Sequence, residues 1–361
     1  MEIEVVGAPS SAGAHHAGQE LAPAALRAHG LLDRLRDGGL VVHDAGDVPG
    51  SVFRRDPVRT VGRNIDAAVR VAGSVAQEVE RVLAAGRFAL VLGGDCTIEL
   101  GVVAGAQRAL GEVRVAYLDG DADLSSPSHP GSGILDATGV AHLLGIADDA
   151  LARLGTRFPM LEDHELALIG YDPGDIDAVD DEALADHQGL LHVDHRSLTV
   201  HPNGAVLRVG EALVADGASL VVHFDVDTID SADLPLANYP HYGTGVSLPV
   251  AMEVLEGLVA MPGVRALTLT EVNPTYDPGG AELERYVHAV ADAVLGALAP
   301  AGEHATGSEV SRGSRWAGRR RPGAAAPRGP TARAGRPRPR RPPTGSPRRA
   351  ARGTRSARAS R

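Results

Sequence analysis

Short apolar runs alternate with longer amphipathic stretches along the first 300 residues of the chain. Eight runs rich in valine and leucine have the length of strands, at 3–7, 40–46, 88–94, 113–119, 166–172, 189–194, 220–227 and 264–272. The clearest amphipathic stretches lie at 25–38, 64–86, 250–261 and 281–299. Near-continuous apolar strands that alternate with helices are typical of a parallel sheet covered by helices on both faces. The pattern therefore predicts one three-layer α/β domain.

The charge of the chain changes sign near its end. All 35 basic residues are arginine, and 17 of them lie between Arg312 and Arg361, whereas all 46 acidic residues lie at or before Glu309. Residues 303–361 are rich in arginine and proline and have no apolar periodicity, which predicts a disordered basic tail after a folded domain at 1–302. The composition argues against a nucleic-acid partner, because Trp316 is the tail's one aromatic residue and the domain is acidic.

Composition also excludes several classes of protein. The absence of lysine rules out a P-loop, a Schiff-base lysine and a kinase strand lysine. The single cysteine, Cys96, permits no intramolecular disulfide. No apolar run reaches the length of a membrane span, and the N-terminus lacks the layout of a signal peptide. We therefore expect a soluble, cytoplasmic protein with no membrane partner.

Acidic motifs follow four of the predicted strands: LGGDC (92–96), DGDAD (119–123), DVDTID (225–230) and TEVNP (270–274). The carboxyl ends of parallel strands meet at one edge of a sheet, so we expect one site. If the strands continue through the motifs, alternation places Asp119, Asp121 and Asp123 on one face, and Asp225 and Asp227 on another shared face.

Five carboxylates and a cysteine gathered in this way predict a metal site. Unpaired like charges are costly to bury, and oxygen ligands suit Mn²⁺ or Mg²⁺. A calcium loop is excluded because Leu124 and Pro130 replace its glycine and glutamate. FDVDTID also resembles the DxDxT motif of haloacid-dehalogenase-type phosphotransferases. Those enzymes use a later lysine, and this chain has none, which argues against that class. A purely structural role as helix caps and turn formers remains open, although it explains single aspartates better than two pairs.

In this order and at these spacings, GGDC, LDGDAD, SGILDA, FDVDTID and TEVNP resemble the ureohydrolase family, which comprises arginase, agmatinase and formiminoglutamase. The resemblance covers about residues 3–299. It implies a three-layer α/β/α fold with an eight-stranded, mostly parallel sheet. It also implies two Mn²⁺ per subunit, whose bridging hydroxide attacks a guanidinium or formimino carbon, and a homo-oligomer, either a trimer or a hexamer.

The resemblance also implies a role for each site residue. Asp119 and Asp225 match the carboxylates that bridge the metals, and Glu271 matches the acid that pairs with the substrate's guanidinium group. The predicted metal ligands are Cys96, Asp119, Asp121, Asp123, Asp225 and Asp227, and the predicted catalytic residues are Asp123, Asp136 and Glu271.

Several positions depart from the family pattern, which has histidine where this chain has Cys96, Asp121 and Asp136. We expect the Cys96 thiol to stay protonated beside Mn²⁺, because nearby anions raise its pKa, although a softer metal such as Fe²⁺ or Zn²⁺ remains an option. Asp136 can still move protons if its pKa is raised. Ile134 replaces an asparagine that touches the amino-acid end of the substrate in arginases, which weakens the case for L-arginine itself.

These features predict a manganese-dependent amidinohydrolase that releases urea from a small cationic guanidino compound, arginine-like or agmatine-like. The three replaced histidines keep a second hypothesis open, in which the chain is a catalytically silent relative that binds a metal or ligand. His223 is either a residue behind the metal ligands or a buried strand histidine, and His15 and His16 are candidates for the edge of the pocket.

Overall fold

The computed structural model of the chain describes residues 1–126, 133–174, 178–214 and 217–299, without the side chains of 178–181. The basic tail at 303–361 lies outside the described residues, so its predicted disorder stays a prediction.

In the described part of the chain, eight strands form a single sheet in which every neighbouring pair is parallel. They are β1 (Glu2–Gly7), β2 (Val41–Asp47), β3 (Phe88–Leu92), β4 (Val113–Leu118), β5 (Leu166–Ile169), β6 (Leu191–Val193), β7 (Ser219–Asp225) and β8 (Val264–Thr270). Each one coincides with a predicted apolar run. The predicted eight-stranded parallel sheet is therefore confirmed.

The described residues form ten α-helices between and after the strands. They are α1 (Ala22–Ala28), α2 (Leu31–Asp37), α3 (Ile65–Ala84), α4 (Ile98–Leu110), α5 (Gly139–Leu143), α6 (Ala178–Asp186), α7 (His195–Val200), α8 (Pro202–Leu213), α9 (Leu248–Val259) and α10 (Ala281–Leu298). The stretch predicted at 25–38 is two helices, because the chain breaks at Gly30 with a left-handed φ of 85°. Among the described helices, none is both long enough and apolar enough to cross a membrane.

Two hydrophobic cores lie on opposite faces of the sheet. In β3, Phe88, Leu90 and Leu92 belong to a core that also contains apolar residues of α1, α2, α8, α9 and α10. The alternate residues Ala89 and Val91 belong to the other core, together with residues of α3, α4 and α5. This alternation follows from the two-residue period of a strand, and it confirms the three-layer arrangement.

The strand order places the four acidic motifs side by side. The sheet runs β2-β1-β3-β8-β7-β4-β5-β6, so the four strands that precede the motifs are consecutive neighbours: β3, β8, β7 and β4. Because all of them are parallel, their carboxyl ends share one edge. The fold therefore gathers the motifs into one region at the centre of that edge.

Candidate metal centre

The aspartates approach one another through turns, and the prediction that they share a face of continuing strands is wrong. β4 ends at Leu118, one residue before Asp119. The Asp121 backbone N–H then donates to Asp119 Oδ1 at 2.7 Å. After β7, the Asp227 N–H donates to Asp225 Oδ1 at 2.8 Å within a 3-10 turn. Each turn is thus held by its own carboxylates.

A glycine lets the two turns meet. The Gly120 N–H donates to Asp227 Oδ1 at 2.9 Å, which links the turn after β4 to the turn after β7. A Cβ at Gly120 would lie 2.7 Å from the Asp227 carbonyl oxygen, which is closer than side-chain packing allows. Glycine at this position therefore permits the close approach of the two acidic turns.

The first half-site consists of Cys96, Asp119, His223 and Asp225, whose ligand atoms lie within 4.8 Å of one another. All four side chains are buried. The Cys96 thiol donates to Asp225 Oδ2 at 2.7 Å. His223 Nε2 lies 3.6 Å from Cys96 Sγ and 3.7 Å from Asp119 Oδ2. Asp119 Oδ2 has no hydrogen-bond partner among the described residues, which leaves a buried anionic oxygen available to a cation.

The second half-site consists of Asp121, Asp227 and His241, whose ligand atoms also lie within 4.8 Å of one another. His241 Nε2 lies 3.4 Å from Asp121 Oδ2 and 3.9 Å from Asp227 Oδ2. Burial alone would lower the pKa of His241, but the two carboxylates outweigh it and raise the pKa to about 10.

A third group consists of Cys96 and two further acids, Asp136 and Glu271, beside the first half-site. The Cys96 backbone N–H donates to Asp136 Oδ1 at 3.0 Å and to Glu271 Oε1 at 3.1 Å. Gln19 Nε2 donates to Glu271 Oε2 at 2.5 Å. Burial, and then repulsion from Asp95, raises the pKa of Asp136 to about 7. Asp136 and Glu271 are in contact, and near neutral pH their two carboxyl groups can therefore share a proton.

Glu271 is held in an unusual backbone conformation. Its φ of 63° lies in the left-handed region, which non-glycine residues rarely adopt. Such conformations cluster at functional sites, where the surrounding structure enforces them. Here the Glu271 N–H donates to the Gly94 carbonyl oxygen at 2.9 Å, which fixes the chain directly after β8.

The electrostatics of the centre favour a divalent cation. Burial, followed by repulsion between neighbouring carboxylates, raises the pKa of Asp119 and Asp225 well above the usual range. Burial, followed by repulsion from Asp225, likewise raises the pKa of the Cys96 thiol, as expected from the sequence. Among the described residues, no arginine pairs with any of these acids. The donor set, with its orphaned Asp119 oxygen, fits hard cations.

Asp123 lies near the half-sites, but its side chain is held by a tyrosine. The Tyr117 hydroxyl donates to Asp123 Oδ2 at 2.6 Å, and the residue has a left-handed φ of 52°. Asp123 is in none of the three groups described above. Its predicted role as a metal ligand and catalytic residue stays a prediction.

Three polar residues near the centre were not predicted from the sequence: His241, Gln19 and Glu99. His241 is contributed by an irregular segment between β7 and α9, where no periodicity marks it. His15 lies close to this segment, because its ring stacks on Tyr239 with centroids 5.2 Å apart, and the Tyr239 ring packs edge-on against His241 at 5.5 Å. The suggestion that His15 edges the pocket therefore has a geometric basis.

The chain is similar in sequence and in fold to known proteins. The arginase family profile matches residues 1–298. Arginase of Bacillus caldovelox is 27% identical over 288 residues, which are 76% of this chain and 92% of that arginase. The crystal structure of Bacillus subtilis arginase matches with a TM-score of 0.72 and 24% identity, over 83% of this chain and 99% of that chain. The crystal structure of Trypanosoma cruzi formiminoglutamase with Mn2+2 matches with a TM-score of 0.63 and 22% identity. The match covers 82% of this chain and 93% of that chain.

Proposed function

This chain belongs to the arginase family of hydrolases, and we propose that it is a dinuclear manganese-dependent amidinohydrolase that releases urea from a small guanidino compound. The observation that carries the proposal is the meeting of buried carboxylates from the ends of β4 and β7, where no arginine of the described residues pairs with them. We further propose, from the family resemblance, that the enzyme works in the cytoplasm as a homo-oligomer.

The two half-sites are the proposed binding places of the cations. Asp119 and Asp225 would serve both cations, as the resemblance implies, with Asp121 and Asp227 on the side of the second half-site. Two bound divalent cations supply Lewis acidity, which makes a water molecule nucleophilic at neutral pH. Cys96 contributes a neutral thiol that already donates to Asp225.

Glu271 is the proposed partner of the substrate's guanidinium group. Its carboxyl group is oriented by the Gln19 amide and by the Cys96 N–H, so it does not depend on the substrate for its position. A strongly acidic cleft also attracts a cationic substrate. Asp136 lies in contact with Glu271 and is the proposed carrier of the proton that the departing amine requires.

The identity of the substrate depends on what contacts the end remote from the guanidinium group. Ile134 is buried and offers no amide there, in contrast to the asparagine of arginases. We propose an arginine-like or agmatine-like compound, and the choice between them belongs to experiment.

The test is a screen of guanidino compounds with the manganese-loaded full chain, in which urea release is measured by colorimetry. We expect urea from at least one compound. Asp227→Asn should lower the rate at least about 100-fold, because even changes behind the metal ligands cost 10–100-fold. The matched control is Asp148→Asn, which removes an exposed carboxylate that pairs with Arg153 and should leave the rate unchanged. If protein that holds two Mn²⁺ released no urea from any compound, the result would favour the hypothesis that the chain is a catalytically silent relative.

A further inference from the structure

His223 is held in the manner of a metal-binding histidine. Its Nδ1 lies 3.4 Å from Glu99 Oε2, and its ring stacks on Tyr117 with centroids 4.0 Å apart. Glu99, the second residue of α4, is fully buried, and its other carboxylate oxygen has no hydrogen-bond partner among the described residues. Histidines that bind metals commonly donate their second ring N–H to a carboxylate, which fixes the tautomer and aims the other nitrogen at the metal.

We propose that His223 and His241 are the nitrogen ligands of the first and the second half-site, respectively, and that Glu99 positions His223. The inference rests on the proposed metal centre. At Cys96 and Asp121, where the family pattern has histidine, this chain offers sulfur and oxygen. The imidazoles therefore come from β7 and from the segment before α9.

The second ring nitrogen of His223, Nε2, faces the first half-site. Nε2 has three polar neighbours: Cys96 Sγ at 3.6 Å, Thr270 Oγ1 at 3.4 Å and Asp119 Oδ2 at 3.7 Å. The Asp119 oxygen has no hydrogen-bond partner among the described residues. A histidine that served only to pack the sheet would not need to leave a buried anionic oxygen unpaired beside it. A cation bound here would pair with that oxygen and would take Nε2 and Cys96 Sγ as further ligands.

The position of His241 is set by its backbone. The His241 N–H donates to Ser231 Oγ at 3.1 Å, and its carbonyl oxygen accepts from the Ser231 N–H at 2.7 Å. The side chain is 5% exposed, and Nε2 makes no hydrogen bond to a described residue although it faces Asp121 and Asp227. His241 Nε2 lies 3.4 Å from an Asp121 oxygen and 3.9 Å from an Asp227 oxygen, so a cation bound by these two carboxylates would have this nitrogen within reach as a third ligand.

The charge of this ligand set matches two divalent cations. Asp119, Asp121, Asp225 and Asp227 supply four negative charges, and neutral imidazoles and a protonated thiol add none. The set expected from the sequence has Asp123 and a protonated Cys96 thiol in place of the histidines, and its five carboxylates would leave the buried centre with one negative charge more than two divalent cations neutralise. Neutral nitrogen ligands therefore avoid the free-energy cost of burying that uncompensated negative charge.

The deciding experiment detects histidine nitrogen on the metal itself. The full chain is produced with 15N-labelled histidine, loaded with Mn²⁺, and measured by pulsed electron paramagnetic resonance. We expect 15N coupling in the unsubstituted protein, and partial loss of that coupling in His223→Ala and in His241→Ala. Each variant should also retain about one tightly bound Mn²⁺ in place of two, and added imidazole should restore the second.

The matched control is His142→Ala. His142 is fully buried, and Nε2 lies 3.1 Å from a carboxylate oxygen of Asp149, but it belongs to none of the groups at the centre. We expect this variant to keep both metals and the full coupling. Glu99→Gln should keep the coupling and weaken the affinity of one site about 10–100-fold, as for other residues that orient a ligand.

Two results would overturn the inference in different ways. Two Mn²⁺ bound to the unsubstituted protein with no 15N coupling would exclude both histidines as ligands and leave the proposed function standing. No bound metal in the unsubstituted protein would overturn the proposed function as well. Because the coupling is measured on the unsubstituted chain, misfolding of a variant cannot decide the outcome.

Discussion

The Cys96 thiol is surrounded by anions, and this decides its chemistry. Its sulfur lies 2.7 Å from an Asp225 oxygen, and the side chain is 3% exposed. Burial and the neighbouring carboxylates both raise the thiol pKa. A thiol of this kind acts as a hydrogen-bond donor and a neutral ligand, whereas reactive cysteines lie in electropositive, accessible surroundings.

We therefore predict that Cys96 resists thiol reagents in the folded protein. The chain has one cysteine, so the assay reports on this residue alone. At pH 8 we expect labelling at least about tenfold slower than in the unfolded chain, because burial excludes the reagent and the raised pKa leaves less of the reactive thiolate. The unfolded chain should give one thiol per protomer. Labelling of the native protein at the unfolded rate would contradict the account.

Residues in the acidic motifs could be predicted from the sequence, whereas their supporting partners could not. Asp119, Asp225 and Cys96 follow apolar strands at recognisable spacings, and the structure brings them together. His241 and Gln19 reach the centre through loop closure from distant parts of the chain. Because neither lies in a periodic segment, the sequence carries no local signal for them.

At the scale of elements, buried helices were harder to predict than amphipathic ones. α3 has one apolar face and one polar face, so its period is visible in the sequence. α4 is buried along its first ten residues and has few polar residues, so there is little contrast between its faces. The α1–α2 break was also missed, since apolar residues continue across Gly30.

We predict that two glycine substitutions, one at a helix break and one inside a helix, change the free energy of unfolding in opposite directions. Gly30→Ala forces a side chain into a left-handed conformation with φ 85° and should cost about 1 kcal/mol of unfolding free energy. Gly73→Ala is the matched control, because Gly73 lies inside α3 and a Cβ there meets nothing within 4 Å. It should stabilise by about 0.5–1 kcal/mol. Denaturant unfolding measures both, and equal effects of one sign would contradict the prediction.

At the scale of the whole molecule, the order of the strands assembles the centre. The sequence indicated that four strand ends carry acidic motifs, and the sheet makes those strands consecutive neighbours. Strand order depends on which long-range pairings pack best, and local patterns contain little of that information. Only the assembled sheet brings the negative charges of these motifs together. The free energy of unfolding therefore depends on the protons or cations that neutralise them.

The metal-free protein should lose stability as the pH rises. Burial raises the pKa of Asp119 and Asp225 and raises that of Asp136 to about 7, so the folded state keeps protons that the unfolded chain releases above about pH 4. Each retained proton then costs about 1.4 kcal/mol per pH unit until the folded pKa is passed. His241, with a folded pKa of about 10, acts in the same direction.

Thermal unfolding between pH 5 and pH 8 tests this dependence. We expect the melting temperature to fall with pH after treatment with a chelator, and to be level or to rise with pH in the manganese-loaded protein, because bound cations favour the ionised carboxylates. Asp225→Asn removes one of the responsible groups and should flatten the metal-free slope. Parallel curves with and without manganese would contradict the electrostatic account.

The number of manganese ions bound per protomer tests the central claim most directly. The full chain is loaded with Mn²⁺, desalted, and measured by elemental analysis beside Asp225→Asn and the surface control Asp148→Asn. We predict two Mn²⁺ in the unsubstituted protein and in Asp148→Asn, and at most one in Asp225→Asn, because Asp225 belongs to the first half-site and is the proposed bridge to the second. One ion or none in the unsubstituted protein, with Mn²⁺, Fe²⁺ and Zn²⁺ alike, would contradict a dinuclear hydrolase.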